Sequence, residues 1–204
     1  MYIELDELSP GQVYIRMIQT LIPRPIAWVL SANANGSWNL APFSYFNAVC
    51  SDPPLIMLSV GKKPDGSFKD TRVNIEERGR FVIHIAHREL AEPMTASSAT
   101  LAAGESELEQ LRLATVPFDG FELPRLEQCR VAYACERYQI QEIGGTPQSL
   151  ILGRVRSIYV DDAVLIRDDR GRTRVAAEKV DPLGRLGADE YVTFGEILRI
   201  RRPD

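Results

Sequence analysis

Histidine and cysteine are scarce in this chain, with two and three among 204 residues. Cys50, Cys129 and Cys135 are odd in number and lack C-x-x-C spacing, so neither a disulfide framework nor a zinc site is indicated, and reduced structural thiols are expected. His84 and His87 fall in the strand-like run Phe81-Val-Ile-His-Ile-Ala-His. Side chains alternate along a strand, so this odd separation puts the two on opposite faces and argues against a shared metal site. No run approaches ~20 apolar residues, and the acidic start Met-Tyr-Ile-Glu-Leu-Asp-Glu-Leu lacks the basic region of a signal peptide, which predicts a cytoplasmic protein with no membrane partner. The formal net charge of -4, with dispersed basic residues, excludes a general nucleic-acid binder, and Arg199, Arg201 and Arg202 are too few to reverse it.

Glycine signatures are missing as well. A dinucleotide fold needs G-x-G-x-x-G between strand and helix, and Gly184-x-x-Gly187 is a partial match only. Gly61 and Gly66 have the P-loop spacing, but Ser67-Phe68 stands where Lys-Ser/Thr must hold phosphate and magnesium. No G-x-S-x-G elbow surrounds a serine. No catalytic side chain and no metal ligand are therefore assigned.

What the chain does contain is a series of strand-like runs separated by short turn signals. Ser9-Pro10 fits an N-cap with proline at the first helical position, and Val13, Ile15, Met17 and Leu21 predict a short amphipathic helix ending before Pro23. Ile26 to Leu30 reads as a strand, Asn33-Ala-Asn-Gly36 as a tight turn, and a returning strand should follow. Leu55 to Val60 reads as a strand buried on both faces. Asp70 or Thr71 should cap a helix that stops at Gly79, after which Arg80 onward returns to strand. Arg88 to Leu113 reads as helices broken at Pro93 and Gly104. Long β runs resume at Cys129 to Ile143 and Ser149 to Val160, Asp168 to Gly171 is a turn, and Asp181 to Gly187 is an irregular loop before Tyr191. Without repeats, linkers or low-complexity segments, the pattern predicts one domain over 1–204, mainly β with helical excursions, built as an antiparallel barrel.

Lys69-Asp70-Thr71 carries the clearest chemistry. A helix N-terminus offers unsatisfied backbone N–H groups and a favourable dipole, and with a lysine beside it and a threonine hydroxyl it is either a phosphate seat or an ordinary N-cap beside a solvated lysine. Asn39, Ser44 and Ser59 stand at or near strand ends, where an amide or hydroxyl can reach a ligand's polar edge. Phe43, Tyr45, Phe46, Trp28 and Trp38 either wall a flat ring system or belong to the core.

Taken together, Arg24-Pro-Ile-Ala, Asn39-Leu-Ala-Pro-Phe-Ser44, Asp52-Pro-Pro54, Lys69-Asp-Thr71 with Asn74, Phe81-Val-Ile-His-Ile85, Leu152-Gly-Arg-Val155 and Pro182-Leu-Gly-Arg-Leu-Gly187 resemble, in order and spacing, the flavin reductase-like, FMN-binding split-barrel family. The resemblance covers nearly the whole chain. It implies a six-stranded split barrel with Greek-key character, a homodimer, and FMN bound near the subunit interface. By position, Asn39, Ala41, Pro42, Ser44 and Tyr45 would lie along the isoalloxazine or ribityl chain, Ser59, Gly61, Lys69, Thr71 and Asn74 around the phosphate, and Arg185 would close the site. The activity implied is an NAD(P)H-dependent flavin reductase, with NADH or NADPH delivering hydride to flavin N5 and a separate monooxygenase or redox partner as possible acceptor. An FMN electron carrier without a nicotinamide site, and a non-catalytic binding module on the same fold, are the alternatives. The chain departs from the family pattern at His84, where asparagine is common, at Ser31-Ala32, where Ser-Thr is common, and at Arg154, where an acid is common.

Overall fold

The computed structural model describes residues 1–201 and Pro203. Arg202, counted above with the C-terminal basic residues, and Asp204, the end of the expected domain, lie outside them. Seven strands form one antiparallel sheet: β1 (Ala27–Ala32), β2 (Trp38–Phe43), β3 (Phe46–Ser51), β4 (Pro54–Val60), β5 (Arg80–His84), β6 (Val131–Glu142) and β7 (Ser149–Val160). Their order is β2-β1-β5-β6-β7-β4-β3. The two edge strands, β2 and β3, are consecutive in the chain and separated only by Ser44 and Tyr45. A sheet whose opposite edges are joined by two residues has to curl until those edges meet, which closes a barrel with a seam at Ser44-Tyr45. The Tyr45 carbonyl accepts a hydrogen bond from the Ser59 N–H at 2.9 Å beside this seam.

Strand alternation divides the core in two. From β1, Ala27 and Val29 point into the barrel with Phe81, Ile83, Leu58 and Ile151, while Trp28 and Leu30 join an outer core under the helical excursion with Met94, Leu108 and Phe118. The excursion comprises α3 (Ala91–Ala96) and α4 (Glu107–Leu111). Pro93 does not break it. It sits in the first turn of α3, where its missing N–H has no intrahelical partner to lose. Gly104, at φ +83°, does interrupt the helices.

The first helix, α1 (Pro10–Thr20), has the expected cap: the Ser9 N–H donates to Gln12 Oε1 at 2.9 Å, and the Ser9 hydroxyl accepts from the Gln12 N–H. None of its residues is buried. The second, α2 (Asp70–Arg78), begins one residue earlier than a cap at Asp70 would place it and two earlier than a cap at Thr71. Its N-cap is Lys69, whose side chain makes no capping bond, and it ends at Gly79 in the left-handed conformation. Strand β5 stops at His84, so His87 falls in the following loop and not on the strand. The segment expected as an irregular loop at 181–187 contributes Gly184–Arg185 to a small sheet with Arg24–Pro25 and Tyr191–Val192. In β4, Leu55, Ile56, Leu58 and Val60 are buried, whereas Met57 and Ser59 are only partly covered. None of the described helices is long and apolar enough to cross a membrane.

Candidate functional site

Beside the seam, β2 forms the floor of a cleft through Asn39, Ala41 and Pro42. The start of α2 makes one wall, with Lys69, Asp70 and Thr71, and the segment 97–101 with Glu107 makes the other. A second cleft continues past the end of β2, lined by Pro42, Phe43, Ser44, Met94, Arg185 and Tyr191, with Tyr14 of α1 at its margin. Pro42 and Ser98 line both, so the two clefts are adjacent.

A buried polar network holds the α2 end of the first cleft. The Asn39 amide donates to Thr71 Oγ1 at 2.8 Å and to Ser31 Oγ at 3.3 Å, and the Asn74 amide donates to Ser31 Oγ at 3.2 Å and Asn33 Oδ1 at 2.8 Å. Because Thr71 already accepts from Asn39, its own hydroxyl proton is left to donate elsewhere. At the helix start the Arg72 and Val73 N–H groups bond the Lys69 carbonyl, while the Asp70 and Thr71 N–H groups precede the first intrahelical donors. The Asp70 carboxylate is ion-paired with Lys63 at 2.9 Å, so its charge is locally cancelled. Lys69 has no carboxylate partner among the described residues and stands 5.6 Å from the centre of the Phe43 ring. Burial lowers the proton affinity of its amine. This end of the cleft therefore offers an uncompensated cation, a free hydroxyl proton and a helix N-terminus.

The second cleft mixes aromatic and apolar side chains with the hydroxyls of Ser44, Thr95 and Ser98 and the Arg185 guanidinium. The Arg185 guanidinium lies 4.5 Å over the Tyr191 ring and donates to the Ala188 carbonyl, and the Tyr191 and Thr95 hydroxyls are 2.9 Å apart. Arg24, 4% exposed, ties the region together. It donates to the Ile18 and Leu21 carbonyls at the C-terminal end of α1, at 2.6 and 2.8 Å, to the Leu186 carbonyl at 2.8 Å, and to Ser44 Oγ at 3.4 Å. One guanidinium thus fixes helix, later loop and seam against each other, and its charge also suits a helix C-terminus.

Of the residues singled out from the sequence, Asn39, Ala41, Pro42, Lys69 and Thr71 share the first cleft, and Pro42, Ser44 and Arg185 the second. Asn74 lies beneath α2 in the polar network, 4% exposed. Ser59 and Gly61 line neither cleft. The Ser59 hydroxyl donates to Gln148 Oε1 at 3.1 Å, and a Cβ on Gly61 would stand 3.2 Å from the Gln148 amide nitrogen. Tyr45 follows the seam, with burial and the nearby Tyr14 raising its phenol pKa. Trp28 belongs to the core: it is fully buried and donates to Ser97 Oγ at 2.8 Å. His84 is also fully buried, bonded through Nδ1 to the Trp28 carbonyl at 3.1 Å and through Nε2 to the Leu126 N–H at 2.9 Å. These partners require the Nδ1–H tautomer. Arg154 lines neither cleft and stacks 5.4 Å over Tyr138.

Sequence reasoning missed Glu107. This carboxylate is 6% exposed, lines the first cleft and accepts the Leu40 N–H at 2.8 Å through Oε2. Burial raises its pKa, with the neighbouring Asp70 adding to the effect and the Leu40 N–H opposing it. No local motif marks it, because its partner strand is far away in the chain.

Comparison with known proteins agrees with this architecture. The model of the flavin reductase like domain matches residues 19–175. An uncharacterized protein of Halalkalibacterium halodurans is 36% identical over 202 residues, covering 97% of this chain and 94% of the relative. Among solved structures, component B of nitrilotriacetate monooxygenase from Bacillus cereus is 31% identical with a TM-score of 0.89 over 98% of both chains. The 2-nitrobenzoate 2-nitroreductase of Pseudomonas fluorescens is 30% identical with a TM-score of 0.88, covering 100% of this chain and 96% of that one. With a split barrel whose seam lies beside these two clefts, and with the family match over most of its length, this chain belongs to the flavin reductase like domain family.

Proposed function

We propose that this protein binds FMN and acts as an NAD(P)H-dependent flavin reductase, working as a homodimer and passing electrons to a separate acceptor. The observation that carries the reading is the adjacency of the two clefts at Pro42 and Ser98, which sets donors without partners at the start of α2 beside a slot walled by Pro42, Phe43, Met94 and Tyr191. The residues fit FMN. Lys69, the Thr71 hydroxyl and the first N–H groups of α2 are donors without partners of their own, as a phosphate requires, and Pro42, Phe43 and Met94 are apolar enough to cover one face of a flat ring.

Bound there, the flavin would supply the redox chemistry, accepting a hydride from nicotinamide and releasing its electrons to an acceptor. The chain's own task is placement. Lys69 and Thr71 would hold the phosphate, while the Asn39, Ser31 and Asn74 network keeps Thr71 in its donating rotamer. Arg24 would fix Ser44 and the 183–187 loop around the ring end, and Arg185, stacked on Tyr191, would stand at the rim where an anionic group of a second substrate arrives. None of these roles needs a side-chain acid or base, consistent with the lack of a catalytic constellation.

The likeness to a monooxygenase component supports transfer of electrons through a flavin to a partner enzyme. The likeness to a nitroreductase favours a second reading, direct reduction of a nitroaromatic at the same cleft. Freshly purified protein should be yellow or take up added FMN, and should then oxidise NADH or NADPH with turnover that depends on FMN. Turnover that appears only with a nitroaromatic present would select the second reading. A yellow protein inert to both nicotinamides would point to an electron carrier, and a protein that never binds FMN would overturn the proposal.

A further inference from the structure

We propose that Glu107 couples occupancy of the anion seat to the uptake of one proton, so that the cleft takes a phosphorylated flavin best when this carboxyl is neutral. The inference rests on the reading of the cleft as a flavin phosphate site. Glu107 is 6% exposed, and its one interaction across the fold is with the Leu40 N–H, a bond that a carboxyl oxygen can still accept after protonation. That bond is stronger to the carboxylate and so works against protonation, but it survives protonation, and Glu107 lines the same cleft as Lys69 and Thr71.

The charges around it decide the matter. Lys63, ahead of α2, and Asp70, on its first turn, face the cleft but neutralise each other at 2.9 Å. Lys69 supplies one positive charge. Strand β2 presents only Asn39 and backbone groups, the 97–101 segment only hydroxyls and apolar side chains, and the neighbouring acids Glu105 and Glu109 are exposed to solvent. With Glu107 ionised the lining sums to zero, and with Glu107 protonated it sums to one positive charge. A phosphate monoester brings about -1.5 to -2 charges into this half-enclosed space. Burial already favours the protonated carboxyl, and an adjacent anion favours it further. Loading the seat then draws a proton onto Glu107, and by linkage the affinity falls as pH rises between its titration in the free and in the loaded protein.

Full-length protein titrated with FMN and with riboflavin from about pH 5.5 to about pH 8.5 tests this, since riboflavin lacks only the phosphate. FMN affinity should weaken by up to about tenfold per pH unit across the linked interval while riboflavin affinity stays flat. Calorimetry in two buffers of unlike ionisation enthalpy should show net proton uptake with FMN and none with riboflavin. In Glu107→Gln, whose amide oxygen still accepts the Leu40 N–H, FMN should bind about tenfold or more tightly than in wild type near pH 8.5, leaving only the phosphate's own titration. An unchanged pH profile in that variant, or equal proton exchange for both flavins, would overturn the inference. If the variant does not fold, the wild-type calorimetry decides alone. Failure to bind FMN at any pH would sink the phosphate reading itself, whereas binding without proton exchange sinks only the role of Glu107.

Discussion

Lys69 is a cation held in a half-enclosed cleft with an aromatic ring, and not a carboxylate, for a neighbour. That arrangement costs stability in the empty protein and is relieved by an anion, so Lys69→Ala should weaken FMN binding by about 10- to 100-fold, from charge-assisted contacts of roughly 1.5–3 kcal/mol. Riboflavin affinity should hold and the melting temperature of the flavin-free protein should not fall, which separate titrations and a thermal scan would check. His84 shows the opposite use of burial. Desolvation, helped by the Arg125 guanidinium, pushes its imidazole down to about 4 against the pull of the Trp28 carbonyl. The unfolded chain, with an ordinary histidine near 6.5, then binds the extra proton, so stability is full above about pH 6.5 and drains as pH falls towards about 4, by roughly 3 kcal/mol in all. His87, lowered by its own burial and by Arg130, adds to the same slope. Denaturant unfolding across this window should show the loss, and His84→Asn should flatten it. The proposed anion seat is visible as a candidate in the sequence because Lys69, Asp70 and Thr71 are contiguous at a helix start. Glu107 is not, since its partner Leu40 lies 67 residues away, and Trp28 is ambiguous because only its Ser97 partner shows that it faces the outer core.

At the scale of elements, the strands were legible where apolar periodicity was long, as for β7, whose expected and observed bounds coincide at 149 and 160. Errors came where side chains had alternative partners. Asp70 was a reasonable cap from its type, but Lys63 takes its carboxylate, and the helix begins on the Lys69 backbone instead. Pro93 was read as a breaker, although a proline in the first helical turn costs no hydrogen bond. The Gly153 position in β7 carries a constraint no motif announces. It sits at an irregularity in the β6–β7 pairing, and a Cβ there would stand 2.4 Å from Cζ of Phe81, itself fully buried in the barrel. Phe81 has nowhere to go, so Gly153→Ala should destabilise the protein by about 1–3 kcal/mol and lower its melting point by roughly 2–12 °C. Adding Phe81→Leu should recover part of the loss, because the smaller side chain vacates the clash. A melting point unchanged in the single variant would mean that the β6–β7 irregularity absorbs the methyl group.

The order of strands in the whole molecule could not be derived from any segment of sequence, because pairing of β5 with β6 and of β4 with β7 crosses long stretches of chain; the family resemblance implied a split barrel of six strands, and the sheet has seven. What the closed barrel leaves uncovered bears on assembly. Helix α1 is amphipathic by sequence yet buries no residue, with Ile15, Met17 and Leu21 each more than two-fifths exposed, and edge strand β3 is exposed from Asn47 to Ser51, including Val49. Scattered exposed apolar residues are ordinary, but an 11-residue helix has little stability of its own and needs tertiary packing to persist. Arg24 anchors only its C-terminal end. A second copy packed on α1 and the β3 edge would bury that face, and Tyr14, at the margin of the second cleft, would carry the interface up to the ring end of the site. Sedimentation should then give about twice the 22.9 kDa chain mass, corresponding to an interface on the order of 1,600 Å². Ile15→Glu with Leu21→Glu should shift the protein to monomer and weaken FMN binding at the same time, because charges placed on the buried face oppose association and strip cover from the ring end. A wild-type protein that sediments as a 22.9 kDa monomer at micromolar concentration, or a monomeric variant with unaltered flavin affinity, would separate the site from any interface.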